Sequence, residues 1–254
     1  MDSTVDELFT RMLTGNYDDE LAWEAVQTLR RLGSREVFNR ASEWCFSDDP
    51  LKRARGADVL AQIGRTFDNP VNNFLDESFS IVSEMLHTEK DPLPLLAAVH
   101  ALGHISNPLG IPLVVTHSLH PDVDVRFAVA CTLGTFANDA QAKDALLVLM
   151  RDADEHVRDW ATFGLGVLGD LDSDEIRDAL LQRISDSCPD VREESLVGLA
   201  KRKDHRALEV LIAALNEPEV SDRVREAAAE FLGQQQADHT SSHYVALLKE
   251  RFDV

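Results

Sequence analysis

The chain has 254 residues, with 25 Lys and Arg against 45 Asp and Glu, a formal net charge of −20, and 44% hydrophobic residues. The acid excess argues against broad phosphate binding, and the apolar content excludes general disorder. Aromatics make up only 6%, with 2 Tyr, which suits Ala- and Leu-rich helices better than an aromatic-rich β-sandwich.

The acidic start, Met1-Asp2-Ser3-Thr4-Val5-Asp6, lacks the basic and apolar stretches of a signal peptide. No apolar run is long enough to cross a bilayer. Three scattered cysteines (Cys45, Cys131, Cys188) form neither a disulfide framework nor a CxxC knuckle, so a cytoplasmic location is expected. The first periodic segment, 5–13, predicts a helix. A second helix follows around Ala22, with Ala25 three residues on and Leu29 seven residues on. This arrangement then recurs. Arg53 is followed by Gly56 and Leu60-Ala61, Leu95 by Ala98 and Leu102-Gly103, and Arg126 by Val129 and Leu133-Gly134. Arg158 is followed by Ala161 and Leu165-Gly166, Arg192 by Ser195 and Leu199-Ala200, and Arg225 by Ala228 and Leu232-Gly233. Seven anchors at 22, 53, 95, 126, 158, 192 and 225 are spaced 31, 42, 31, 32, 34 and 33 residues apart. A fixed period of this kind signals stacked supersecondary units.

Asp18, Asp49, Asp91, Asp122 and Asp154 each stand four residues before an anchor, where a carboxylate can cap a helix; Asp190 and Asp222 sit slightly later. Gly33, Gly64 and Gly169 lie eleven residues past their anchors, where a helix would end. A second helical pattern fills each interval, as at 142–150, 175–184 and 207–215, and the segment 244–252 supplies a last helix of that type. The 42-residue gap holds an insertion at about 66–77, with Asn69-Pro70 and two Phe, which reads as a loop with some buried anchor points.

These units resemble the HEAT-repeat superfamily in its short, phycobilisome-lyase-like form. The resemblance rests on Val125-Arg126, Val157-Arg158, Val191-Arg192 and Val224-Arg225, each preceded by acidic residues and followed by the small-residue and Leu-Gly pattern. It covers nearly the whole chain. It implies an all-α fold: an α-solenoid, a right-handed superhelix of about seven antiparallel helix pairs forming one domain over 1–254. The second helix of each pair would line the concave side. It also implies a ladder in which anchor arginines meet the preceding aspartates, broken at Ala22 and Leu95.

On the second helices, positions −1, +3, +7 and +10 from the anchor are expected to face the core. Positions +1, +2, +5 and +9 would face the groove. The outer units then present charge, as in Trp23, Glu24, Gln27 and Arg31, and in Ala54, Arg55, Asp58 and Gln62. The same holds at the other end for Glu226, Ala227, Glu230 and Gln234. The middle units present Leu96, Ala97, His100, His104, Phe127, Ala128, Cys131, Thr135, Asp159, Trp160, Phe163 and Val167. An apolar strip of Leu96, His100, Phe127, Cys131, Trp160 and Phe163, edged by Asp159, Glu193 and Glu194, is the expected partner-binding surface. Packing of these side chains against neighbouring helices is the competing possibility.

The strip would suit a protein or peptide of basic and apolar character. Nucleic acid is unexpected: Lys201-Arg202-Lys203 is the only basic run longer than two. His100 and His104 share a helix face and His117 and His120 follow, yet there is no HExxH, so no metal and no cofactor are expected. The GxGxxG at 164–169 ends a helix and does not follow a strand, so it does not indicate dinucleotide binding.

Enzymes exist among HEAT-like folds. The His-Glu dipeptides of deoxyhypusine hydroxylase are absent, and the charge of −20 is wrong for an alkylpurine DNA glycosylase. A lyase-like protein handling a tetrapyrrole or another small ligand is the alternative, with Cys131 near Trp160 and Phe163 as its cradle. A non-catalytic interaction scaffold is the expected function, with no membrane association.

Overall fold

The computed structural model describes residues 4–234, 237 and 239–253. Among them every regular element is helical. The chain divides into two compact units, one ending at Thr132 and the other starting at Leu133.

The first unit begins with α1 (Val5–Arg11), α2 (Glu20–Leu32), α3 (Arg35–Trp44) and α4 (Pro50–Ala61). It continues with α5 (Leu75–Thr88), α6 (Pro92–Ile105), the short α7 (Ile111–Val115) and most of α8 (Val123–Gly134). The second holds α9 (Ala140–Leu149), α10 (Glu155–Phe163), α11 (Asp174–Arg183), α12 (Pro189–Lys201), α13 (Leu208–Leu215), α14 (Asp222–Leu232) and α15 (Ser241–Phe252). All seven anchors fall on even-numbered helices, and the intervening patterns form the odd-numbered ones. The expected all-α, paired-helix fold class is therefore present.

Capping explains the helix starts, with local adjustments. Asp49 and Asp154 accept backbone N–H bonds as N-caps, and Asp122 accepts from Asp124 and Val125. Asp19, not Asp18, caps α2. Asp91 stands at the N-cap of α6 but makes no side-chain cap bond, because its carboxylate receives Arg53 at 2.6 Å. α12 has no side-chain cap at Cys188, and Ser221 caps α14.

The anchor arginines differ from the implied ladder in direction. Arg53 Nη1 donates to the carbonyls of Ser47 and Asp48, and its other nitrogens reach forward to Glu89 and Asp91. Arg158 likewise donates to the Asp152 and Ala153 carbonyls and forks onto Asp186 at 3.0 and 2.8 Å. Each arginine thus ties the loop before its helix to a carboxylate of the next repeat, which sets the stacking register.

Within the first unit α2 packs on α4 and α4 on α6; within the second α10 packs on α12 and α12 on α14. This side-by-side packing corrects several expected positions. Ala54, Arg55, Asp58, Ala97, Ala128, Glu194, Val197 and Ala227 were expected in the groove and are buried. Small side chains let neighbouring helices close over these positions. Conversely Leu21 and Leu32, expected in the core at −1 and +10, are more than half exposed.

The connection between α4 and α5 is held by asparagines. Asn72 is buried and donates to the Leu60 carbonyl at 2.8 Å, and Asn73 donates to the Gly33 carbonyl at 3.0 Å. Phe74 stacks against Phe38, whereas Phe67 is fully exposed. At the other end, Tyr244 and Leu248 of α15 are fully buried, and Phe252 meets the ring of Phe231. Deleting residues from Ser241 onward is expected to lower the melting temperature by several degrees in a thermal unfolding scan, since α13 and α14 lose apolar cover.

Candidate functional site

Two clusters of buried polar and aromatic side chains stand out, one in each unit. The expected strip residues are divided between the two units. Leu96, His100, Phe127 and Cys131 belong to the first unit, and Asp159, Trp160, Phe163, Glu193 and Glu194 to the second.

In the first unit, helices α2, α4 and α6 bring groove positions together around a cavity of about 400 Å³. Its walls include Trp23 and Arg30 from α2, Asp58 and Ala61 from α4, and Leu96, Ala97, His100, Ala101 and His104 from α6. The loop residues Tyr17 and Asp18 close one side. Behind this wall lies Arg55, with no exposed surface. Its Nε donates to the Met12 carbonyl at 3.1 Å and its Nη2 to the Tyr17 carbonyl at 2.6 Å. The guanidinium carbon lies 4.6 Å from the Tyr17 ring centroid and 4.9 Å from that of Trp23. Asp58 lies 3.4 Å from Arg55 Nη1 and accepts the Tyr17 hydroxyl at 2.9 Å. Arg30 donates through Nε and Nη2 to the Asp58 carbonyl at 2.8 and 2.6 Å.

Burial shifts these groups strongly. The Asp58 carboxyl rises to about 6 because desolvation outweighs Arg30, Arg55 and the Tyr17 hydrogen bond. Burial and the Asp58 charge push Tyr17 up. His100 falls to about 4, first from burial and then from His104. His104 is lowered by burial, Arg30 and Arg65. Both imidazoles are therefore neutral at pH 7. Leu96 and His100 thus belong to this cavity, with His104. Phe127 and Cys131 are half-buried on α8, and the cavity walls do not include them. Among the described residues no three His, Cys, Asp or Glu side chains converge as a metal set.

The second cluster is built on α10, α12 and α14. The chain after α10 opens into a π-type turn over Gly164–Leu168, closed by Gly169 N–H donating to the Gly164 carbonyl at 2.8 Å. This turn is the GxGxxG segment. A Cβ on Gly166 would lie 3.1 Å from the Glu194 carbonyl oxygen, and one on Gly198 would lie 2.7 Å from the Gly166 Cα. Glycine at both positions lets α12 approach the turn closely. Arg202 is buried and donates to carbonyls of Leu165, Gly166, Gly169, Leu171 and Gly198. Lys201 donates to Val167 and Gly169 and pairs with Asp170, while Lys203 donates to the Glu230 carbonyl. The one basic run in the chain is therefore internal scaffolding, not a phosphate-binding patch.

The close approach of α12 puts Glu194 among the side chains of α10 and α14. Trp160 is 40% exposed and meets Phe163 edge-on at 5.7 Å between centroids. Arg223 of α14 lies 5.5 Å from the Phe163 ring centroid, pairs with Glu194 Oε1 at 3.2 Å and with Glu226 at 2.9 Å. Glu194 Oε2 and Asp159 Oδ1 are buried and accept no hydrogen bond among the described residues. Glu194 rises to about 7, first from burial and then from Asp159, Glu226 and Glu193, with Arg223 opposing. Asp159 rises through burial and Asp190, with His156 and Arg223 opposing. Glu193 is half-buried beside them.

Of these residues, sequence reasoning missed Tyr17, Arg30 and Arg223 and misread Arg55 and Asp58 as solvated. The small neighbours Ala54, Gly56 and Ala57 were the available signal that the Arg55 face of α4 is closely packed.

A pH dependence follows. A folded-state carboxyl raised above its unfolded value stabilises most when protonated, and that contribution is lost as pH rises through the folded value. Asp58 and Glu194 therefore favour the fold below about pH 4, and their contributions fade through about 6 and about 7. Glu89, Asp172, Asp186 and Asp204 are held low by arginines and act in the opposite sense, losing stability as acid protonates them. His100, His104 and His117, lowered by burial, also act in the opposite sense once the pH falls below about 6.5. The melting temperature is therefore expected to rise from pH 8 to about pH 6.5 as Glu194 takes up its proton, and to fall below about pH 4. Glu194→Gln should flatten the upper limb; an unchanged slope would contradict the placement of Glu194.

Repeated helix pairs, arginine-bound interrepeat loops and small-residue helix contacts define a HEAT-repeat protein. The HEAT-repeat family matches residues 79–166 and 148–233, and the chain belongs to that family. It is 30% identical to Protein YibA of Escherichia coli (strain K12) over 235 residues, 89% of this chain and 80% of that protein. The crystal structure of E. coli YibA superposes with a TM-score of 0.77 at 25% identity, covering 97% of this chain and 93% of that one. A more distant likeness is to the complex of CpcE and CpcF of phycocyanin lyase from Nostoc sp. PCC7120, at 17% identity and a TM-score of 0.41, covering 97% and 81%. No helix among the described residues is long and apolar enough to cross a membrane.

Proposed function

We propose that the chain is a non-catalytic interaction scaffold whose second unit takes a protein or peptide segment bearing a basic side chain beside an apolar one. The observation that carries this reading is that Glu194 Oε2 and Asp159 Oδ1 are buried without a hydrogen-bond partner among the described residues, with the partly exposed Trp160 next to Asp159 in the chain. Buried polar atoms without partners are uncommon in folded proteins. Among the described residues Arg223 pairs with both Glu194 and Glu226 and also stands near Asp159 and Glu193, so a second cation would satisfy what these four acids leave open. Trp160 and Phe163 supply the apolar contact such a side chain's neighbour needs. The buried thiols of Cys45 and Cys188 fit a reducing cytoplasm.

The test is a fluorescence anisotropy titration with two labelled peptides, one alternating Lys or Arg with Leu and Phe, the other with every basic residue changed to Glu. The basic peptide should bind and its binding should weaken with salt. Equal binding of both peptides would refute the reading.

A further inference from the structure

The cavity of the first unit is independent of that reading and has the opposite chemistry. In a chain of net charge −20, its surroundings are locally basic. Arg30 lines it, Arg55 stands directly behind Tyr17 and Trp23, and Arg65 reaches the His104 carbonyl at 3.4 Å. Against these three cations stand Asp58, which is held by Arg55 and Tyr17, and Asp18 at the rim. Arg30 commits Nε and Nη2 to the Asp58 carbonyl, and its Nη1 has no hydrogen-bond acceptor among the described residues. Each neutral imidazole retains one N–H donor. No side-chain hydrogen bond engages either ring among the described residues, so the polar groups that converge here are mainly unengaged donors.

The remaining walls are apolar or aromatic: Trp23, Tyr17, Leu96 and three alanines. About 400 Å³ is within the range of small-molecule sites and exceeds what an inorganic anion needs. A cationic ligand is disfavoured, because the indole of Trp23 already stands near the guanidinium groups of Arg30 and Arg55, at 5.8 and 4.9 Å from its centroid.

We propose that this cavity binds a small aromatic carboxylate, its carboxylate on Arg30 and the two histidines and its ring against Trp23, Tyr17 and Leu96. The bound charge has a consequence for His104. The groups facing it are His100 on its own helix, Arg30 and Asp58 on the packed helices, Arg65 in the following loop, and Tyr17 and Asp18 at the rim. Arg30 and Arg65 together disfavour its protonation, and an anion beside it reverses that balance. Binding should therefore take up protons and strengthen toward acid pH.

The experiment uses the full chain and three probes of similar ring: 2-naphthoate, 2-naphthylmethylamine and neutral 2-methylnaphthalene, with inorganic phosphate as a ringless anion. Calorimetry gives affinity, and the His104 ring proton resonance gives its titration. The expected result is one saturable site for 2-naphthoate, an upward shift of the His104 titration on binding, and weak or no binding of the other three. Arg30→Met should weaken 2-naphthoate at least about tenfold. Because Arg30 also supports α4, His104→Ala at the cavity wall and the cavity-filling Leu96→Trp serve as second variants; each should weaken binding several-fold with an unchanged helical spectrum. Trp160→Ala should leave this binding unchanged, which separates it from the second-unit site. Binding of the amine equal to or tighter than that of naphthoate overturns the proposal. So does competition by phosphate at equal concentration, or the absence of saturation up to roughly 10 mM naphthoate.

Discussion

Arg55→Met should lower the unfolding free energy by about 3–5 kcal/mol at pH 7, the range found when one partner of a buried ion pair is removed. Arg55 has no exposed surface and Asp58 is 5% exposed, so water cannot replace the lost guanidinium without opening the helix contacts. The substitution also strands the carbonyls of Met12 and Tyr17, which now accept from Arg55. The penalty depends on pH in a defined direction. Asp58 already titrates near 6 with Arg55 beside it. Without that cation its carboxyl rises further, and below that value it folds in neutral form at little electrostatic cost. The difference between wild type and variant in urea unfolding should therefore shrink from pH 7 to pH 5. A constant difference would mean that Arg55 acts through packing alone, as long arginine stems can.

Trp160→Ala should weaken the basic, apolar peptide by about 2 kcal/mol or more, roughly thirtyfold. Trp160 is 40% exposed and its packed neighbour Phe163 is half-buried, so truncation removes a contact surface while leaving the core of α10 at Val157 and Ala161 intact. The helical spectrum should be unchanged. Loss of fold on this substitution would show that the indole is core, and the second-unit site would then be withdrawn. Glu193→Lys should act mainly on the association rate and its salt dependence, since this half-buried carboxylate sits beside the Glu194 pair and steers more than it anchors.

The fold was legible because seven short-range patterns repeat: Leu seven after every anchor, with an apolar residue before the anchor except at Lys52 and a small residue three after it except at Val129. Those positions are fixed by helix periodicity and need no knowledge of neighbours. The sites were less legible because they depend on contacts between successive helices. Arg55 and Asp58 carry charge at positions that point away from the core of their own pair, and periodicity alone reads that as solvent. The stacking of α2, α4 and α6 turns the same face inward. Glu194 was expected on an exposed acidic edge and is buried; Gly166 and Gly198, whose backbones meet, are what bring α12 and its Glu194 against the turn after α10. Trp160 and Phe163 were read as sharing a face, and they do meet edge-on. Lys201-Arg202-Lys203 was visible as the one basic run, but the task of Lys201 and Arg202, holding carbonyls around the π-type turn, arises from a helix irregularity that no propensity encodes.

The most direct test of the second-unit account is proton release on peptide binding. Glu194 titrates near 7 in the free protein because it is buried among other carboxylates. A Lys or Arg side chain arriving at Glu194 Oε2 and Asp159 Oδ1 must draw it to the ionised state. Calorimetric titration of the basic, apolar peptide at pH 7 in two buffers of different ionisation enthalpy measures the protons exchanged. The account predicts release of a substantial fraction of one proton per peptide bound, abolished in Glu194→Gln. Proton uptake, or buffer-independent heats with binding unaffected by Glu194→Gln, would contradict it.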